Sequence, residues 1–174
     1  TLFRSLANKF GSVDMSTPLH GVYSSLQATV ENNQLFQDVA VQKNEKSIEM
    51  ELASGSFFQP RSAELIKEKL PVLAEMAAGL KSGAYLEYYV IVEGHTSDVA
   101  INTALFPSNW ELSTARATRL VRYFIDQGLA PNKLVAVGLA DTKPLLANRD
   151  AGGTPIEANR KQNERMVIKF EREY

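Results

Sequence analysis

The sequence predicts an α/β (α+β) sandwich, with helices on one face of a mixed sheet and a helical extension at the N-terminus. Three observations predict it. Apolar and polar residues alternate in four separate stretches, the period of strands. Two longer stretches between them carry the three- and four-residue spacings of helices. The resulting order, β-β-α-β-α-β-β, interleaves the two types.

The extension comes first. Leu2, Phe3, Leu6 and Phe10 form an apolar stripe on a short helix that Gly11 ends. Ser16-Thr17-Pro18 reads as a helix start, with Pro at the first helical position. The helix that follows runs through Leu19, Val22, Leu26 and Val30. Two coverings for these stripes stay open: the domain's own core, or a linker and dimer-forming segment near a membrane. The expected division is a helical segment, 1–36, and a domain, 37–174.

A hairpin opens the domain. Val39 and Val41 alternate, residues 43–46 turn, and Ile48, Met50 and Leu52 alternate on the return. Gly55 breaks the strand. A long helix is expected from Arg61 or Ser62, with Leu65, Ile66, Leu70, Leu73, Ala77 and Leu80 as its core stripe. Pro71 would kink or split it, and Gly83 close it. In the next strand Leu86, Tyr88, Val90 and Val92 alternate with Tyr85, Glu87, Tyr89 and Glu93. Ser108-Asn109-Trp110-Glu111 then fits a capping box, with Ser108 as N-cap and Glu111 three residues on. That helix runs to Gly128, a C-terminal stop. Residues 134–137 form a further strand. Residues 147–156 read as a surface loop. Met166, Ile168 and Phe170 alternate in the last strand.

Bulk properties narrow the function. With 174 residues, 44% of them hydrophobic, the chain suits one domain plus a short extension. It has no cysteine, which rules out disulfides and thiolate metal sites and fits an oxidising compartment such as the periplasm. A net charge of −1 with no polybasic run argues against nucleic acid as a partner. No apolar stretch approaches bilayer length. The chain begins at Thr1 without a signal peptide, so it is expected to be the soluble part of a longer protein.

The chemistry concentrates at one strand end. His95-Thr96-Ser97-Asp98 lies just before a helix on which Asn109, Leu112, Ser113 and Arg116 share a face. Together they form a compact polar constellation able to hold a small zwitterion. Catalysis is not expected. His95, Ser97 and Asp98 are neighbours on one strand end, not a nucleophile, base and orienter converging from separate positions. His20 and His95 are too far apart in sequence to suggest a metal site, and Gly152-Gly153 lacks the Lys-Ser/Thr of a phosphate loop. No cofactor is implied.

The same residues resemble the OmpA-like peptidoglycan-binding domain. Its signature runs Gly-His-Thr-Asp, a loop, then Asn-x-x-Leu-Ser-x-x-Arg-Ala. Here it reads Gly94-His95-Thr96-Ser97, then Asn109-x-x-Leu112-Ser113-x-x-Arg116-Ala117. Gly138 to Pro144 resembles the family's Gly-to-Pro turn, and Asn163-Glu164-Arg165 its Asn-Arg-Arg. The likeness covers about residues 47–172. Within the family, residues 52–58, 62–65 and 108–113 look most like flagellar stator subunits of the MotB type.

The resemblance implies a non-catalytic periplasmic domain that holds a stator to the cell wall by binding the diaminopimelate stem peptide of peptidoglycan. It implies a homodimer, and a stator membrane subunit as partner through an upstream membrane helix. It also implies that the segment before the domain controls when the clamp reaches the wall. Arg116 takes the role of gripping the ligand carboxylate, for which a planar guanidinium suits. Thr96, Ser97, Asp98, Asn109, Leu112, Ser113 and Arg165 complete the expected site. Two positions depart from the pattern: the usual Asp is Ser97, and the first Arg of Asn-Arg-Arg is Glu164. Either Asp98 swings into the vacant acidic role, or Ser97 offers a weak neutral hydrogen bond. Rival readings are another OmpA-like envelope protein, such as a lipoprotein or porin tail, and an interaction module that has lost wall binding.

Overall fold

A computed structural model describes residues 18–82 and 85–172. The expected helix through Leu2 to Phe10, and Gly83, lie outside those residues. The four alternating stretches and the 134–137 run give five strands among the described residues: β1 (Val39–Lys43), β2 (Ser47–Ala53), β3 (Tyr89–His95), β4 (Leu134–Gly138) and β5 (Arg165–Glu171). They make one mixed sheet in the order β1-β2-β5-β3-β4. β5, last in sequence, sits at the centre and is antiparallel to both β2 and β3. Only β3 and β4 run parallel, a pairing that requires a crossover.

Three helices lie on one face: α1 (Pro18–Asn32), α3 (Leu70–Leu80) and α4 (Asn109–Asp126), the last being the β3-to-β4 crossover. Two short turns of helix, α2 (Ser54–Phe57) and α5 (Glu157–Asn163), flank the sheet's end. The register puts Ile48 opposite Phe170, Met50 opposite Ile168 and Val92 opposite Ile168, so the alternating apolar residues share one face. They form a single core with Leu73, Met76 and Leu80 of α3 and Ala117, Leu120 and Phe124 of α4. Leu19, Val22, Leu26 and Val30 of α1 belong to the same core. The α1 stripe is therefore covered by the domain itself. Gly79 of α3 is part of the reason: a Cβ there would press on Ser25 and Leu26, at 3.1 and 3.2 Å.

The α4 ends follow their sequence signals. Ser108 Oγ accepts from Trp110 N–H at 3.2 Å, and Glu111 accepts from the Ser108 N–H at 2.7 Å. At the other end Gly128 adopts φ +91°. Its N–H bonds the Ile125 carbonyl at 2.8 Å and Leu129 N–H the Phe124 carbonyl at 3.0 Å, the Schellman pattern.

Three expectations need correction. The helix expected from Arg61 or Ser62 begins only at Leu70, after a 3-10 turn over Lys67–Lys69. Arg61 sits at φ +54°, outside the right-handed helical region. Residues 58–65 fold back on themselves, with Phe58 bridging Leu65. Leu65 thus reaches the core from an extended segment, although its spacing to Leu73 is that of a helix. Pro71 falls in the first turn of α3, where its missing N–H costs nothing, so it starts the helix instead of kinking it. The strand expected from Tyr85 starts at Tyr89, because Tyr85–Glu87 forms a 3-10 turn that exposes Leu86. Helix α5 is not marked in the sequence: six of its seven residues are polar or charged, so it has no apolar period.

Candidate functional site

Two glycines let α4 press onto the sheet where the site forms. A Cβ on Gly94 would collide with the Ser113 carbonyl, and one on Gly138 with Thr114. The first turns of α4 therefore lie directly over the C-terminal ends of β3 and β4. Ser113, fully buried, fastens that contact. Its hydroxyl donates to the Trp110 carbonyl at 3.2 Å and accepts from Ala140 N–H at 3.1 Å. Thr96 is buried too, with its hydroxyl donating to the Ser97 carbonyl and its N–H to Ala140 O. Asn109 ties the loop after β3 to the helix, donating to the carbonyls of Ser97 at 3.3 Å and Val99 at 3.0 Å. Leu112 is buried beneath this rim. These four residues position the site.

Arg116 is its centre. The side chain is 4% exposed. Its Nε donates to the Ser62 carbonyl at 2.9 Å, and its guanidinium lies 5.5 Å from the centre of the Phe58 ring. Nη1 is buried and has no hydrogen-bond partner. The Glu164 carboxylate stands beside it, with Oε2 at 3.7 Å from Nη1. Burial pulls the guanidinium pKa down from its ordinary value, and the Glu164 charge opposes that pull. A buried cation with an open donor next to an exposed carboxylate is suited to receiving a second anion.

Ser97 points into the same cluster. It is 1% exposed, and its hydroxyl donates to Glu164 Oε1 at 3.1 Å. The two departures from the signature thus touch each other. Neither was paired with the other from sequence, although both stood out as substitutions within one motif set. Phe58 and Ser62 fall in the stretches that carry the stator-like resemblance, but nothing in them marks a contact with Arg116.

Asp98 lies elsewhere. β3 ends at His95, so Asp98 is in the loop, and its carboxylate accepts from Arg149 Nε and Arg160 Nε, both at 2.7 Å. Arg160, against the effect of burial, and then Arg149 hold its pKa below the usual carboxylate value. Asp98 serves to tie the 147–156 loop and α5 to the strand end. Arg165 is also separated from the cluster. It pairs with His95 across β5 and β3, on the sheet face away from the helices. There its guanidinium donates to the carbonyls of Asn163 and Lys143, each at 3.3 Å.

That outer face carries its own charge pair. Lys169 Nζ lies 2.7 Å from Glu93 Oε1, and His95 Nε2 lies 3.3 Å from Glu93 Oε2. The His95 contact, against burial and together with Lys169, lowers the Glu93 pKa from 4.5 to about 2. Among the described residues, no group of three His, Asp or Glu is placed to hold a metal, and no helix is long and apolar enough to cross a membrane.

The fold and the motif recur in known proteins. Protein YtxE of Bacillus subtilis (strain 168) is 31% identical over 140 residues, which span 80% of this chain and 54% of that protein. Motility protein B of the same organism is 25% identical over 136 residues, 78% of this chain and 51% of that protein. This chain spans about half the length of the curated relatives it matches. The crystal structure of a MotB-like protein from Desulfovibrio vulgaris superposes with a TM-score of 0.75 at 25% identity, covering 99% of this chain and 100% of that one. Residues 57–160, which are 104 of the 174, match the model of the OmpA family. With its Gly94-to-Arg116 signature inside that span, the chain belongs to the OmpA family.

Proposed function

We propose that this chain is a non-catalytic clamp for peptidoglycan, acting in the periplasm to anchor a MotB-type flagellar stator to the cell wall. The observation that carries this reading is Arg116: a buried guanidinium whose Nη1 makes no hydrogen bond, held by Ser62 and Phe58 within a polar cluster. A diaminopimelate end presents a carboxylate and an ammonium on one carbon. Arg116 takes the carboxylate through the charge-assisted hydrogen bond that Nη1 has to give. Ser97 lines the approach, Thr96, Asn109 and Ser113 hold the frame, and Leu112 backs it. Asp98 and Arg165 support the loop and strand around the clamp. Likeness to Motility protein B supports the stator assignment.

In this reading residues 1–36 lead from a membrane helix upstream into the wall-binding domain, whose core takes in α1, and take part in a homodimer. The stator membrane subunit then meets the upstream region. Two clamps on one dimer hold the polymer more firmly than one, through effective concentration.

The test is cosedimentation with purified sacculi. The wild type is expected in the pellet, Arg116→Ala in the supernatant with its circular dichroism intact, and Asp98→Ala in the pellet. Equal pelleting of wild type and Arg116→Ala, or no pelleting by either, overturns the clamp. The sequence upstream of Thr1 tests the stator role: one membrane helix with an acidic residue supports it, and a lipobox or a barrel overturns it.

A further inference from the structure

We infer that Glu164 is the acidic pole of this site, replacing the aspartate that the strand end lacks. The inference rests on the clamp reading above and names the residue that would receive the ligand ammonium. A zwitterion bound by Arg116 brings a cation within reach of the same cluster, and a cation entering a partly buried site needs a carboxylate. The acids near the strand end can be taken in turn. Asp98 is 2.7 Å from each of two arginines, so its charge is already met. Glu93 projects from the opposite sheet face and is paired with Lys169. Ser97 is neutral. Glu164 touches both halves of the cluster, through the Ser97 hydroxyl at 3.1 Å and Arg116 Nη1 at 3.7 Å. Its side chain is 40% exposed, so it is reachable from solvent.

The contact with Arg116 is too long for a hydrogen bond, which makes it an exchangeable one. In the empty site Glu164 partners the buried guanidinium loosely. When a zwitterion enters, its carboxylate takes Nη1 and Glu164 turns to the ammonium, while Ser97 keeps hold of Oε1. Every charge remains paired before and after. The acid has moved from the strand end to the residue just before β5, and the donor set of one carboxylate and one guanidinium is kept. Glu164 is thus specificity-determining: it selects ligands that carry an ammonium beside the carboxylate.

A contrasting role for the same residue is a plug that competes with the ligand for Arg116. Glu164→Gln separates the two, because glutamine keeps the shape and can still accept from Ser97. The probes are meso-diaminopimelate and pimelate, the latter lacking both amines, titrated into the whole chain by NMR or calorimetry, with sacculus cosedimentation alongside. The wild type should prefer diaminopimelate. Glu164→Gln should lose that preference, weakening diaminopimelate by about tenfold or more while pimelate binds at least as tightly as it does to the wild type. Adding Ser97→Asp to Glu164→Gln should restore the preference, since residue 97 lies within hydrogen-bond reach of the position Glu164 occupies. Unchanged or tighter diaminopimelate binding by Glu164→Gln, with wild type still pelleting and Arg116→Ala not, overturns the inference and spares the clamp. Failure of wild type to pellet overturns both.

Discussion

Leu26→Ala tests whether α1 is part of the folded domain or only a tether to it. Leu26 is 1% exposed and lies in the core with Val22 on one side and α3 on the other. It sits beneath Gly79, where the helices approach so closely that a Cβ would meet Leu26 Cδ2 at 3.2 Å. A neighbourhood this tight cannot collapse to fill the space of an isobutyl group. The loss is then the transfer of the side chain plus a residual cavity, in total about 3 to 4 kcal/mol. For a domain of this length that lowers the melting temperature by roughly 6 to 16 °C. Urea unfolding, followed by circular dichroism and by the fluorescence of Trp110, measures it. Trp110 is the only tryptophan and lies in the first turn of α4, remote in sequence from α1, so coincident transitions show that α1 unfolds with the rest. Phe36→Ala is the control, since Phe36 is 67% exposed and its loss should fall within about 0.5 kcal/mol. A Leu26→Ala change below about 1 kcal/mol, or two separate transitions, would refute the reasoning. The result also decides how the extension can be trimmed. Removing residues 1–36 strips Val22, Leu26 and Val30 out of the core.

Two other outcomes follow from the sheet and its contact with α4. Glu93 titrates at about 2 in the fold against 4.5 outside it, so its contribution is complete above about pH 4.5 and is lost as pH falls toward 2. Glu93→Gln is therefore expected to cost at most about 3 kcal/mol at pH 7, with the gap to wild type closing over that acid window in urea titrations at stepped pH. A gap independent of pH would show that the Lys169 and His95 contacts do not govern it. Gly94→Ala drives a methyl into the Ser113 carbonyl, so α4 must lift from β3. We expect about 3 kcal/mol of destabilisation and loss of sacculus binding in the protein that remains folded, and an unchanged melting curve would show that the close approach is dispensable.

Much of the fold was legible because its signals are local. The alternation at Ile48, Met50 and Leu52, the Ser108 and Glu111 box, and the Gly128 stop each depend on residues within a turn or two of one another. The failures were local conflicts too. Leu65 and Ile66 sit at helical spacing from Leu70 and Leu73, yet the left-handed backbone at Arg61 and the Phe58–Leu65 bridge hold that segment out of the helix. A spacing pattern records which residues are apolar, not which backbone carries them.

The sequence by itself determined the family, the mixed α/β architecture and the placement of Arg116 on the helix face beside the strand end. What it left open was which acidic residues meet which partners at the site. Ser97 and Glu164 are 67 positions apart, and Asp98 reaches Arg149 and Arg160 across 51 and 62 positions. Those pairings arise because β5 inserts between β2 and β3, bringing residue 164 to the end of β3 and of α4. Covering of α1 was likewise decided by tertiary packing, since an apolar stripe is the same whichever surface buries it. Local spacing sets which side chains an element presents. Only the order of strands in the sheet sets which of them meet.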